Sequence, residues 1–305
     1  MVITVLSGGV GAARLLDALS DAIDPSELTA IVNVGDDLTM HGLTICPDLD
    51  TIMYTLAGLN NRELGWGLAG ESWRVMEELG ALGGEAWFRL GDRDLATHLY
   101  RSQRLGDGAT KTDVTNELCD RLGVRVRLLP VTDDELATTF DTELGRMSFQ
   151  EYFVRHHHDV VVTAIDVVGA KEATASNEVL EALREASRIV IAPSNPLISI
   201  DPILQVRGVR DLLERRRDDV VGVSPIIDGH ALKGPADRLL AELGHEVSCL
   251  GVLDFYKGLI GRWIIDEADA GRADEVRSRD VDVIVTTTIM SDPDNGQRLS
   301  AAVLA

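Results

Sequence analysis

The chain has 305 residues, 50 of them Asp or Glu against 29 Lys or Arg, for a formal net charge of −21. So negative a chain repels phosphate backbones and anionic headgroups, which argues against nucleic-acid coating and membrane-surface binding. A 45% hydrophobic content argues equally against disorder. Only Lys111, Lys171, Lys233 and Lys257 are lysines. An acid-rich, lysine-poor surface suits concentrated salt, where self-repulsion is screened within about 3 Å near 1 M. The expected source is therefore halophilic.

No run of about 18 apolar residues is present, so no membrane span is expected. Met1–Leu6 lacks a basic leader and reads as a first strand rather than a signal peptide. Cys46, Cys119 and Cys249 form neither a CxxC pair nor a zinc pattern, which fits a reducing cytoplasm.

In chain order, Val2–Leu6 predicts a buried strand, Ser7–Ala12 a tight glycine loop, Ala13–Ala22 a helix and Leu28–Val34 a second strand. Helical spacing follows over Asp50–Leu59, Glu71–Leu79, Asp94–Leu105 and Lys111–Leu122. Further strands are predicted over Val124–Leu129, Val160–Ile165, Ile189–Ala192, Val220–Val223 and Val281–Thr287. Helices over Ala173–Ala186, Ile203–Arg215 and Pro235–Leu243 lie among them. Continuous Val/Ile runs alternating with helices predict an α/β fold with a doubly wound, mainly parallel sheet. Residues 1–50 and 151–305 form the expected core, and 51–150 a mostly helical insertion walling a cleft.

Several loops carry chemistry. Ser7-Gly8-Gly9-Val10-Gly11-Ala12 follows a strand and opens a helix, where backbone N–H groups and the helix dipole favour a phosphate. Arg14 stands where a dinucleotide fingerprint needs its third glycine, and no Walker lysine is present. Asp36, Asp37, Asp48 and Asp50 fall within fifteen residues at strand ends and loops, an oxygen set suited to Mg²⁺ beside phosphate. Helix capping by Asp48 is the simpler alternative. Trp87-Phe-Arg89-Leu-Gly-Asp-Arg-Asp94 offers arginines to a phosphate or a planar ring, or else a capped helix start. Ser194-Asn195 ends a buried strand, where ligands bind in such sheets. Lys233 precedes a helix start at Pro235, well placed for an anion. His156-His157-His158 cannot easily share one ion on extended chain and reads as an exposed loop.

Taken jointly, Ser7–Arg14, Asn33–Asp37, Cys46–Tyr54, Gly65–Gly67, Trp87–Leu99, Phe149–Tyr152, Ala192–Ile200 and Ser224–Arg238 resemble the 2-phospho-L-lactate transferases along nearly the whole chain. The resemblance implies a Rossmann-like core with a helical insertion, usually a homodimer, and a halophilic archaeon as source. It implies transfer of a phospholactyl group from lactyl-2-diphospho-5'-guanosine to the deazaflavin FO. The products are F420-0 and GMP in coenzyme F420 biosynthesis; some relatives move phosphoenolpyruvate instead. Mg²⁺ is the implied cofactor, on Asp36 and Asp50 with Asp37 and Asp48 as further candidates. Deazaflavin contacts fall on Asp50, Arg89 and, by aromatic placement, Trp87 or Trp66. Nucleotide and diphosphate contacts fall on Ser7, Gly8, Gly9, Gly11, Ala12, Ser194, Asn195 and Lys233. Asp50 and Lys233 carry the implied catalysis, and the histidine run has no counterpart. Trp73 and Trp263 read as core packing. The competing reading is a nucleotide-sugar-binding regulatory protein on the related fold; a nicotinamide oxidoreductase is weaker because of Arg14.

Overall fold

A computed structural model describes residues 1–305. Seven strands form one wholly parallel sheet: β1 (Ile3–Ser7), β2 (Leu28–Val32), β3 (Arg127–Pro130), β4 (Arg188–Ile191), β5 (Val220–Val223), β6 (Arg262–Ile265) and β7 (Asp282–Val285). Their order is β7-β6-β5-β4-β1-β2-β3. The chain winds outward from β1 to β3, then returns to β4 on the other side of β1 and winds the opposite way. The reversal between β1 and β4 opens a crevice at their carboxyl ends, where open α/β sheets take ligands. β1, β2 and β5 are buried at every residue, as continuous apolar runs require when helices cover both faces.

Helix α1 (Gly9–Ala22) starts directly after β1 and buries Ala12, Ala13, Leu15, Leu16 and Leu19. A Cβ on Gly11 would land on the Pro193 carbonyl oxygen, so this helix can approach β4 only with glycine there. Helices α2 (Pro47–Leu56), α3 (Arg74–Ala81), α4 (Asp94–Gly106) and α5 (Lys111–Leu122) follow β2, and α6 (Asn177–Glu185) leads into β4.

Three differences from the sequence expectation have physical causes. The insertion is helical from Pro47 to Leu122, but β3 pairs with β2 and so puts part of the 51–150 stretch into the core sheet. Val162–Val168 does not join that sheet; it pairs antiparallel with Ala137–Thr142, which also pairs with Gly145–Ser148. Four of its seven residues are exposed, so it has one solvated face. The helix expected over 203–215 is broken after Gln205, because Gly208 takes a left-handed φ of 97° against Leu180. β6 escaped the sequence reading, although Trp263 on it is fully buried and donates to the Cys249 carbonyl at 3.1 Å. All three cysteines are free and buried, and no helix is long and apolar enough to cross a membrane.

Candidate active site

A cavity of about 700 Å³ opens at the switch point. The glycine loop after β1, the Asp36 loop after β2, Ser194-Asn195 after β4, Ser224 after β5 and Thr288–Met290 after β7 all line it. From the sequence-predicted set, Gly8, Gly9, Gly11, Asp36, Asp48, Asp50, Trp87, Arg89, Ser194, Asn195 and Lys233 face this one space. Trp66 lines it too. Ser7 and Ala12 do not: Ser7 is buried with its hydroxyl on the Val5 carbonyl, and Ala12 is buried in α1. Asp37 is also outside the lining, in an ion pair with Lys111 at 2.6 Å.

The glycine loop and the acidic loop are joined. The Gly9 N–H donates to Asp48 Oδ1 at 2.6 Å, and Asn33 Nδ2 donates to Asp48 Oδ2 at 2.9 Å. Asp48 therefore ties the loop after β1 to α2 rather than capping α2. Gly8 has to be side-chain free, since a Cβ there would sit 2.8 Å from Asp48 Oδ2. Ser194 donates to the Gly8 carbonyl at 2.7 Å, which fastens the β4 loop to the same turn. Asn195 caps the following turn through Oδ1 on the Leu197 N–H, while its buried Nδ2 has no protein partner and is available to a ligand.

The electrostatics divide the carboxylates into two groups. Asp37 pairs with Lys111; burial alone would lower that ammonium, but the charge and hydrogen bond of Asp37, together with Cys46 and Asp133, hold it above its ordinary range. Asp36 and Asp48 have no cationic partner. Burial, then Asp48 and Asp37, pushes Asp36 well up; burial raises Asp48 to about 6 against the pull of Asn33 and the Gly9 N–H. Two buried carboxylates without a counter-ion beside a phosphate-type loop suit a divalent cation.

The second group surrounds Asp50, which is 4% exposed. Arg101, 2% exposed, forks onto it, with Nη1 to Oδ2 at 3.0 Å and Nη2 to Oδ1. His98 lies between Asp50 (3.7 Å) and Asp94 (3.3 Å), and Tyr54 donates to Asp94 at 2.5 Å. Burial would raise Asp94, but the His98 hydrogen bond and charge and the Tyr54 hydrogen bond bring it below its ordinary value. Asp50, Asp94 and His98 present ligand atoms within 4.8 Å of one another, a set compatible with a divalent metal. The sequence reading missed Asp94, His98 and Arg101. Their i, i+4, i+7 spacing on α4 is the signal that places them on one face.

Local capping aims Asp94 inward. Asp92 accepts from Ser72 Oγ and from the Arg74 and Val75 N–H groups, so it caps α3. Glu71 in turn accepts from the Arg93 and Asp94 N–H groups and caps α4. This exchange leaves the Asp94 carboxylate free for Tyr54 and His98. Arg89 stacks on Trp73, 4.5 Å from the ring centroid, with Trp66 edge-on beside it. Trp87 lines the cavity with a buried Nε1–H that has no protein acceptor.

The fold and the cavity define a doubly wound α/β protein with an acidic, glycine-loop-edged ligand site at its topological switch point. The model of the family described as 2-phospho-L-lactate transferase CofD matches residues 3–298, and the chain belongs to that family. It is thus a transferase of the family that works in coenzyme F420 biosynthesis. It is 44% identical over 300 residues to a phosphoenolpyruvate transferase of Streptomyces griseus, covering 96% of this chain and 94% of that one. A phosphoenolpyruvate transferase of Thermobifida fusca is also 44% identical, over 318 residues, with 100% and 97% covered. A 2-phospho-L-lactate transferase of Methanosarcina acetivorans is 38% identical over 291 residues, with 93% and 94% covered. A Bacillus halodurans protein of known structure shares the fold at a TM-score of 0.64 and 17% identity, with 99% of each chain covered. The curated homologues are mostly actinobacterial and do not support a halophilic archaeon as the source.

Proposed function

We propose that the chain transfers a phosphate-linked three-carbon acid from a guanosine-diphosphate-linked donor to the deazaflavin FO, releasing GMP. The observation that carries this reading is a single cavity in which three things meet: a glycine loop, two buried carboxylates without counter-ions, and the Asp50–Arg89–Trp87 wall. The phospholactyl group expected from sequence and the phosphoenolpyruvyl group are alternative cargoes. The higher identity to enzymes named phosphoenolpyruvate transferases favours the second.

In this reading the terminal ribityl hydroxyl of FO attacks the phosphorus that bears the acid. The bond from that phosphorus to the bridging oxygen breaks, and GMP leaves with the bridging oxygen. Phosphoryl transfer of this kind depends mainly on positioning and charge neutralisation. Asp50, held in one orientation by Arg101, accepts the hydrogen bond of the attacking hydroxyl and takes its proton as the new P–O bond forms. The first-turn amides of α1, which has no side-chain cap at Gly8, face the leaving phosphate together with Lys233. Arg89 and the free Trp87 Nε1–H contact the deazaflavin ring, the arginine by stacking or hydrogen bonding. A divalent cation, Mg²⁺ in this reading, would be held by Asp36 and Asp48, with Asp50 alongside, and would neutralise charge on the diphosphate. The assembly proposed is the homodimer that the family likeness implies.

The test is incubation with FO and each guanosine donor, with and without Mg²⁺, followed by mass detection of product and GMP. Asp50→Asn should lower turnover at least a hundredfold with the fold intact. Binding of UDP-sugar without any FO binding would sink the transferase reading and favour a regulatory nucleotide-sugar protein.

A further inference from the structure

The histidine run is the exposed turn that the sequence suggested, with His157 exposed and His158 half-buried, but it also borders the cavity. His157 and His158 both line the cavity. They lie on the connection from Gly145–Ser148 to Val162–Val168, which begins with a π-helical turn over Glu151–Arg155. This connection crosses the cavity wall. At one end Gln150 donates to the Asp36 carbonyl at 3.0 Å, and at the other a Cβ on Gly234 would sit 3.8 Å from Phe153. Between them Arg155 stands 5.8 Å over the Trp87 ring.

Both histidines adopt left-handed backbone, with φ of 51° and 48°. Consecutive non-glycine residues in that region are strained and persist only where surrounding structure fixes them, most often at ligand sites. The fixing contacts are present. Tyr152 stacks on the buried Phe140 at 4.2 Å, Phe153 stacks on Phe149 at 5.4 Å, and the His158 ring rests on Phe153 at 5.2 Å. The His158 N–H donates to the Tyr152 carbonyl at 2.8 Å, and Arg238 clamps the His158 and Val160 carbonyls. Neither imidazole has a hydrogen-bonding or carboxylate partner within the protein. The turn thus holds two unpartnered imidazoles at the cavity, between the Asp36 side and the Lys233 side.

Resting on the transferase reading above, we propose that His157 and His158 bind the carboxylate of the donor's three-carbon acid and so select an acid-bearing donor over a bare nucleoside diphosphate. The diphosphate has its own partners in the α1 amides and Lys233. The carboxylate is the remaining anion of the donor, and this wall presents two N–H donors with no acidic residue paired to them.

The experiment measures equilibrium binding of lactyl-2-diphospho-5'-guanosine and of GDP by calorimetry. The variant is His157→Gly/His158→Gly, because glycine keeps the left-handed turn without strain while removing both rings. Affinity for the acyl donor should fall about tenfold, with GDP affinity unchanged within about twofold. Unchanged donor affinity would overturn the proposal, as would equal weakening of both ligands, which would mean a phosphate contact. His157→Asn/His158→Asn keeps the backbone, since asparagine also tolerates it, and retains a shorter neutral donor. It should lose roughly threefold or more of the discrimination, and wild-type discrimination there would again overturn the proposal. A wild-type protein that binds donor selectively but never transfers to FO would instead defeat the transferase reading and leave the histidine contact standing.

Discussion

Arg101→Met tests the most consequential contact of the site. Arg101 and Asp50 are both nearly buried and meet through two guanidinium bonds, one of them at 3.0 Å. Methionine keeps the apolar bulk and removes the charge, leaving Asp50 with His98 at 3.7 Å as its nearest cation-capable neighbour. Breaking one side of a buried pair costs about 3–5 kcal/mol, because the surviving charge stays desolvated. At roughly 2 °C per kcal/mol for a chain of this size, the melting midpoint should fall by about 6–10 °C. Asp50→Asn in the Arg101→Met background removes the orphaned charge and should restore much of the loss, for a coupling energy of about 2–3 kcal/mol. Denaturant unfolding of the wild type, both single variants and the double variant measures this cycle directly. Additive losses across the cycle, or a single-variant loss below about 1 kcal/mol, would refute the reasoning. Transfer activity should not return in the double variant, because Asp50 is then no longer a carboxylate.

Asp48→Asn addresses the pH dependence. Burial raises the folded-state pKa from 3.8 to about 6, so folded Asp48 holds a proton that the unfolded chain releases, and wild-type stability should fall as pH rises through that window. Asparagine cannot ionise, so its stability relative to wild type should climb between about pH 4 and pH 6 and level off above; a difference constant with pH would contradict the assignment. Added Mg²⁺ should raise the wild-type melting point more at pH 7.5 than at pH 5, and equal shifts would argue against Asp36 and Asp48 as ligands. Gly11→Ala pushes a methyl onto the Pro193 carbonyl, so α1 must retreat from β4; GDP affinity should drop at least tenfold, and an unchanged value would mean that the loop is not the phosphate site. The acid-rich surface predicts a melting point that rises steadily between about 0.1 M and 2 M KCl, and indifference to salt would dispose of that reading.

What could be read in advance was what local chemistry decides. Val2–Leu6, the glycine loop and the first helix were legible because a buried parallel strand and a tight strand-to-helix turn leave a local signature. The carboxylates and Ser194-Asn195 were legible because parallel sheets place their sites at strand ends. The Asp50–Arg101 pair was not, since 51 residues separate the partners and only the packing of α4 against the short antiparallel hairpin Leu38–Met40/Leu43–Ile45 before α2 brings them together. Nor could the sequence show that Asp92 caps one helix and Glu71 another, because each cap comes from a neighbouring segment rather than its own. The place of the histidine turn at the cavity was not legible for a related reason. On extended chain three adjacent histidines diverge, but left-handed backbone at His157 and His158 breaks that alternation, and it is fixed by Arg238, 80 residues from His158.

The acidity of the chain bears differently on the site than on the surface. The cavity proposed for an anionic donor is edged by three buried aspartates and carried by a protein of charge −21, which on net charge alone should repel such a ligand. The arrangement of cations resolves the conflict. Arg104, Arg146, Arg216, Arg238, Arg272 and Arg279 each lie within 4 Å of a carboxylate. Arg14, Arg89 and Lys233 line the cavity and have no such partner. Cations already paired contribute little field, whereas unpaired ones beside low-dielectric walls focus it. Inside the cavity, Asp50 pairs with Arg101 and Asp94 is held by His98 and Tyr54, while Asp37 lies outside the lining and pairs with Lys111, so Asp36 and Asp48 are the lining aspartates without a cationic partner. The local balance that a donor meets is therefore set by a few unpaired groups, and the surplus of acid elsewhere in the chain works on hydration and solubility rather than on recognition.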